Sequence, residues 1–270
     1  MSVQLHHVDL GGEGKPPLLL LHGLLGSTRN WQTAGRDLAA VPAEATSAGG
    51  FHVFALDARN HGRSPHDPVM NYDAMVDDML AWMNARQMAK AVIVGHSMGG
   101  KTAMRLACRH PEQVERLVVV DIAPKDYYWA AHRAEFAAMN QLELSGLQTR
   151  GEAEMRFEAQ VPGLGMRKFL ATNLERGEGG RWRWLINLPV LTEALPVVEH
   201  NSLQPEHRFW GLVQFIVGGR STYVQSADHE TIHRHFPQAQ IQTIPESGHN
   251  PHMDTREEFV RLVRSGANVW

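Results

Sequence analysis

Short, wholly apolar runs alternate along the chain with longer stretches of helical period. Pro17 to Leu21, Val53 to Leu56, Ala91 to Val94 and Leu117 to Val120 are too brief for helices and show no polar alternation, so they read as strands buried on both faces of a parallel sheet. Leu212 to Val217 and Ile241 to Ile244 extend the set, and Val3, Leu5, Val8 and Leu10 alternate as an edge strand would. Between the runs, Met75, Met79, Leu80 and Met83 recur at helical spacing behind a cap at Asn71, and Met98 to His110 continues a second helix until Pro111. The methionine stripe is core. Repeated strand and helix in this order predict an α/β chain with a mostly parallel sheet flanked by helices.

From Ala123 to Gly211 the alternation stops. Helical segments such as Arg133 to Asn140 mix with a glycine-rich bend at Gly177 to Gly180 and with Pro189 and Pro196. The sheet pattern then resumes, which predicts an insertion that leaves and re-enters at the carboxyl edge of the strands, where open α/β sheets bind ligands. The expected organisation is a core of residues 1–122, a cap of residues 123–211 and the rest of the core over 212–270, with a surface loop at Pro42 to Gly50.

Composition narrows the chemistry. The 270 residues are 43% hydrophobic and 20% charged, enough apolar material for one large core. A formal net charge of -3 without a Lys/Arg block excludes an electrostatic case for nucleic acid or anionic membrane. No apolar run approaches the roughly 18 residues of a membrane span. Met1 to Asp9 lacks the basic and apolar pattern of an export signal, and the single Cys108 forms no intramolecular disulfide, so a cytoplasmic location is expected.

Gly95-His96-Ser97-Met98-Gly99 follows the run Ala91 to Val94 and opens a helix. In that context Gly-x-Ser-x-Gly is the sharp strand-to-helix turn that presents a nucleophilic serine. Side chains two residues either side of Ser97 would collide with backbone, and the helix start favours developing negative charge. His22-Gly23-Leu24 ends the run Pro17 to Leu21, where a second oxyanion donor belongs. The expected donors are the N–H groups of Leu24 and Met98. His22, Gly23, His96 and Trp184 are the expected substrate contacts; Trp182 and Trp184, on one face of an extended stretch, equally suit packing.

Of the 16 histidines, His249 in Ser247-Gly248-His249-Asn250 lies beyond the last strand and ahead of a helix near Glu257 to Val263, in the Ser, acid, His order of such sites. His252 is its competitor; Pro251 directs it onward, toward packing. The acid has two candidates. Asp121 ends the strand Leu117 to Val120 at the carboxyl edge, whereas Asp228 falls in a predicted helix. The stretch Val217 to Ser221, where an acid commonly sits, has none. His229-Glu230-Thr231-Ile232-His233 matches a zinc-protease pattern, but Pro237 breaks the helix and no glycine stands at the spacing that brings in a third ligand, so neither metal nor cofactor is expected.

These strings resemble a known family. Leu21 to Gly26 (LHGLLG), Asp57 to Pro65 (DARNHGRSP), Gly95 to Lys101 (GHSMGGK) and Asp121 to Pro124 (DIAP) are similar to the YbfF-type esterases and their animal α/β-hydrolase-domain relatives. The resemblance implies an α/β-hydrolase fold with an eight-stranded sheet, a helical cap inserted after strand 6, and an acid at Asp121 with Ser221 as an auxiliary hydrogen-bonding group. Taken with the residues above, the expected activity is serine hydrolysis of carboxylic esters or thioesters of small to medium acyl groups through Ser97, His249 and Asp121; the cap, Leu142 to Glu178 above all, matches the family less clearly, so substrate choice does not carry over from it. Carbon–carbon hydrolysis, perhydrolysis and a non-catalytic receptor are the alternatives on the same fold.

Overall fold

The computed structural model describes residues 1–40 and 50–266, so positions 42–49 of the expected Pro42 to Gly50 loop lie outside the described residues. The strands are β1 (His7–Asp9), β2 (Pro17–Leu21), β3 (His52–Leu56), β4 (Ala91–His96), β5 (Val114–Val120), β6 (Leu174–Arg176), β7 (Trp182–Trp184), β8 (Leu212–Gly218) and β9 (Ala239–Ile244). The helices are α1 (Gln32–Ala39), α2 (Tyr72–Asn84), α3 (Met98–Arg109), α4 (Ala130–Gln141), α5 (Arg150–Arg156), α6 (Leu164–Ala171), α7 (Leu188–Glu199), α8 (His229–His235), α9 (Pro251–Asp254) and α10 (Arg256–Ser265).

Seven strands form the main sheet in the order β1-β3-β2-β4-β5-β8-β9, parallel except for β1, which pairs antiparallel with β3. The expected eight strands are therefore corrected to seven among the described residues. The segment ahead of β1 is held mostly by side chains: the Val3 N–H donates to Asp78 Oδ1 at 2.6 Å and the His6 N–H to Ser64 Oγ at 2.9 Å, with one backbone bond from the Asp57 N–H to the His6 carbonyl at 2.9 Å.

Alternation along each central strand feeds two separate cores. Leu19, Leu21, Ile93, Leu117, Val119 and Phe215 face α2 and α3, while Leu18, Leu20, Val92, Val94, Val118 and Ile216 face α1 and α10. A run that is apolar at every position is what a sheet covered on both sides requires. Helix α2 starts at the expected Asn71, whose side chain accepts from the Ala74 N–H at 2.8 Å, and Met75, Met79 and Met83 are buried.

Between β5 and β8 run α4, α5, α6, the β6–β7 hairpin and α7, with the Gly177 to Gly180 bend closing the hairpin. Their apolar faces form a third cluster that also takes in Leu25, Tyr72, Met75 and Met98 of the core. Polar links reinforce the junction. The Lys101 ammonium of α3 donates to the carbonyls of Glu199 (2.9 Å) and His200 (2.7 Å) at the end of α7, where the helix dipole favours a cation. The Asn187 N–H and Nδ2 donate to the Asn60 carbonyl and Oδ1, both at 3.0 Å. Asn60 has φ 64, a left-handed conformation that asparagine tolerates better than most side chains.

Candidate active site

The elbow between β4 and α3 puts Ser97 at φ 51, ψ -117, a conformation non-glycine residues adopt only under constraint. The flanking glycines explain how it persists. A Cβ on Gly95 would lie 2.3 Å from the Gly99 carbonyl oxygen, and one on Gly99 would lie 2.6 Å from that of Leu21. Any larger residue at either position would push the turn open. The Met98 N–H, first of α3, has no partner inside the helix by construction. The Leu24 N–H also makes no hydrogen bond among the described residues, and Leu24 lines the same cleft as Ser97. The neighbouring Leu25 N–H is taken by His61 Nε2 at 3.2 Å, which sets the bend of the loop at Leu25, φ 60.

Asp121 follows β5, wholly buried and at φ 49. Its carboxylate accepts from the Gly218 N–H (3.0 Å) through Oδ1, and from the Ser221 hydroxyl and His249 Nδ1 (2.7 Å) through Oδ2. Because the carboxylate only accepts, the His249 proton sits on Nδ1 and leaves the Nε2 lone pair free. The His249 ring stacks on Tyr223, centroids 3.5 Å apart, and its carbonyl accepts from His96 Nε2 at 2.8 Å. The loop reaches this far because β8 ends in glycine: a Cβ on Gly218 would lie 1.9 Å from the Gly248 carbonyl oxygen. Ser97 and His249 line one cleft with Gly23, Leu24, His96, Tyr223 and residues of α4 and α6. The Ser97 hydroxyl is not hydrogen-bonded to His249; contacts of this kind close when substrate binds.

The remaining expected residues separate into those at the cleft and those elsewhere. Gly23 and His96 line it. His22 does not: its Nε2 accepts from the Ala58 N–H at 3.0 Å and its Nδ1 donates to the Gly23 carbonyl at 2.8 Å, so the buried ring shapes the loop. Trp184 is also elsewhere, on the β6–β7 hairpin against the apolar cluster of the insertion. Asp228 lies in a 3-10 turn ahead of α8, not within a helix, and pairs with Lys125 at 2.7 Å. His252 also lines the cleft, but its buried ring is stacked on Trp31, centroids 4.1 Å apart, and burial pushes its pKa down to about 3. His229 and His233 sit on α8, and no group of three metal-binding side chains converges among the described residues.

Among the cleft residues that escaped the sequence reading are Tyr223, His132 and Glu135. Tyr223 follows Ser221 by two residues, and that proximity was the available signal. His132 and Glu135 fall on α4 three positions apart, a spacing that puts both on one helix face but says nothing of which face meets the cleft.

Comparison with known proteins bears on the fold and the family. The chain matches the alpha/beta hydrolase fold family over residues 16–255. It is 42% identical over 255 residues to the sn-1-specific diacylglycerol lipase ABHD11 of Mus musculus, covering 93% of this chain and 80% of that protein. It is 35% identical over 252 residues to esterase YbfF of Escherichia coli (strain K12), covering 93% of each. Among solved structures, a marine microorganism esterase superposes with a TM-score of 0.90 at 32% identity, over 97% of this chain and 98% of that one.

Proposed function

The chain belongs to the α/β-hydrolase family, and we propose that it hydrolyses carboxylic esters or thioesters through an acyl-enzyme on Ser97. The observation that carries this reading is the 2.7 Å bond between buried Asp121 and His249, in a cleft shared with a serine held strained at a helix N-terminus. His249 Nε2 takes the Ser97 proton as the oxygen attacks the acyl carbon. The resulting oxyanion is met by the N–H groups of Leu24 and Met98. The imidazolium, steadied by Asp121, returns the proton to the departing alcohol or thiol. Water then repeats the sequence at the acyl carbon, releasing the acid and the free serine. This chain of steps asks nothing of a cofactor.

In this reading Ser221 holds Asp121 in place, and Tyr223 and His96 hold the His249 ring and its loop. Residues 123–211 act as a cap: Lys101 and Asn60 tie them to the core, and α4 and α6 supply one wall of the cleft. The partner is a small-molecule ester, with no nucleic acid and a cytoplasmic setting. Among the described residues no helix is long and apolar enough to cross a membrane. Ser97→Ala tests the assignment: kcat on p-nitrophenyl butyrate falls on the order of 10⁶-fold, and a fluorophosphonate labels the native protein once, at Ser97. Esterase turnover surviving in the variant, or labelling at another residue, contradicts it.

A further inference from the structure

The wall of the cleft built by α4 carries two polar groups that the reaction sequence does not use. Glu135 is only 6% exposed, lines the cleft with Ser97 and His249, and its carboxyl makes no hydrogen bond among the described residues. Its neighbour Arg133 is spoken for, bonded to Glu199 at 2.7 Å. The carboxyl oxygens stay open to the cleft, so a substrate group that displaces water there must supply a hydrogen-bond partner or leave the carboxyl unmet at a cost. His132 stands one turn earlier on the same face and lines the same cleft. Its Nδ1 is buried without a partner beside Trp129, whose ring lies edge-on at 5.0 Å. Leaving a lone pair unmet costs less than leaving an N–H unmet, so the proton belongs on Nε2, the nitrogen available to the cleft.

We infer that His132 and Glu135 form a polar subsite for a free hydroxyl group on the ester substrate, an inference that rests on the Ser97 hydrolase reading. A hydroxyl both accepts and donates, matching one imidazole N–H and one carboxyl. An ammonium only donates and would face the His132 N–H; a carboxylate would face Glu135. Burial supports the match, pushing Glu135 up to about 7 and His132 down to about 4, so at neutral pH the imidazole is neutral and the carboxyl is protonated about half the time, and the protonated form can donate to a hydroxyl as well as accept from it. The hydroxyl has two possible carriers, the acyl chain or the leaving alcohol.

The experiment compares kcat/KM for two matched pairs: p-nitrophenyl 3-hydroxybutyrate against p-nitrophenyl butyrate, and 3-hydroxypropyl butyrate against propyl butyrate. The native enzyme should favour the hydroxylated member of one pair, which identifies the carrier. Glu135→Leu should lower that ratio about tenfold, the worth of a hydrogen bond in a buried site. Glu135→Gln should keep most of it, since the amide donates and accepts, and His132→Phe should lower it independently. A residue that only supports packing would slow both members equally and leave the ratio alone. No preference in either pair, or a ratio unmoved by Glu135→Leu and His132→Phe, overturns the subsite. Turnover persisting in Ser97→Ala would instead overturn the hydrolase reading beneath it.

Discussion

Replacing Asp121 by asparagine isolates the orienting carboxylate, because the three donors around it dictate how the amide must sit. Oδ1 faces the Gly218 N–H at 3.0 Å, and Oδ2 faces the Ser221 hydroxyl and His249 Nδ1 at 2.7 Å. The amide oxygen will take the Gly218 position, since the reverse orientation opposes two N–H groups in a fully buried site at a cost of about 1–3 kcal/mol. The Nδ2 group then points at His249 Nδ1 and forces it to accept. The imidazole proton moves to Nε2, the atom that must receive the Ser97 proton. The base is disabled with almost no change in shape, and the expected loss is about 10⁴-fold in kcat, or ~5.5 kcal/mol. Steady-state hydrolysis of p-nitrophenyl butyrate measures it, with circular dichroism and thermal unfolding confirming that the variant is folded. An Asp121→Asn enzyme within tenfold of the native rate refutes the tautomer argument, and with it the role of Asp121.

Ser221→Ala removes one of the two donors on Oδ2 and should lower kcat/KM roughly 10- to 100-fold, between the native enzyme and Asp121→Asn, in the same assay. Asp228→Asn breaks the Lys125 pair on a side chain 12% exposed and should cost ~1 kcal/mol in urea unfolding while leaving kcat within about threefold. Glu135→Gln should change the pH dependence of stability. The folded carboxyl is raised from 4.5 to about 7, so the folded state binds the extra proton between these values and the native protein loses stability as pH rises through that window. His132, Tyr223 and His249 face the same cleft, and all remain in the variant. Its unfolding free energy, from urea titrations, should match the native one near pH 4 and exceed it at pH 8 by ~1–3 kcal/mol, at about 1.4 kcal/mol per pKa unit; equal differences at both pH values contradict the buried-carboxyl account. Lys101→Met removes two ammonium bonds to the end of α7 and should cost ~2 kcal/mol in urea unfolding, with KM raised more than kcat is lowered.

The amino-acid sequence by itself determined whatever depends on short stretches of chain. Wholly apolar runs can only be strands covered on both faces, and Leu18 to Leu21 behaves so, sending alternate leucines to opposite cores. Gly95 and Gly99 around Ser97 encode their turn locally, because the collisions they avoid lie within a few residues or on the adjacent strand. The methionine stripe of α2 and the cap at Asn71 were legible for the same reason. Asp121 was readable only as a candidate, since its place at a strand end is local while its partners are 97 to 128 residues away. His22 and His61 look alike in sequence to histidines of a reaction site. Only the folded backbone shows their ring nitrogens consumed by the amides of Ala58 and Leu25. The seven runs of the hydrophobic pattern match the seven strands of the sheet, and the eighth strand came only from the resemblance; the pattern does not record that the segment before β1 finds side-chain partners on α2 and at Ser64. The cleft wall on α4 belonged wholly to the tertiary structure. A helix of modest amphipathicity has several faces that pack equally well in isolation, and the docking of residues 123–211 on Lys101 and Asn60 selects the one that turns Glu135 toward Ser97.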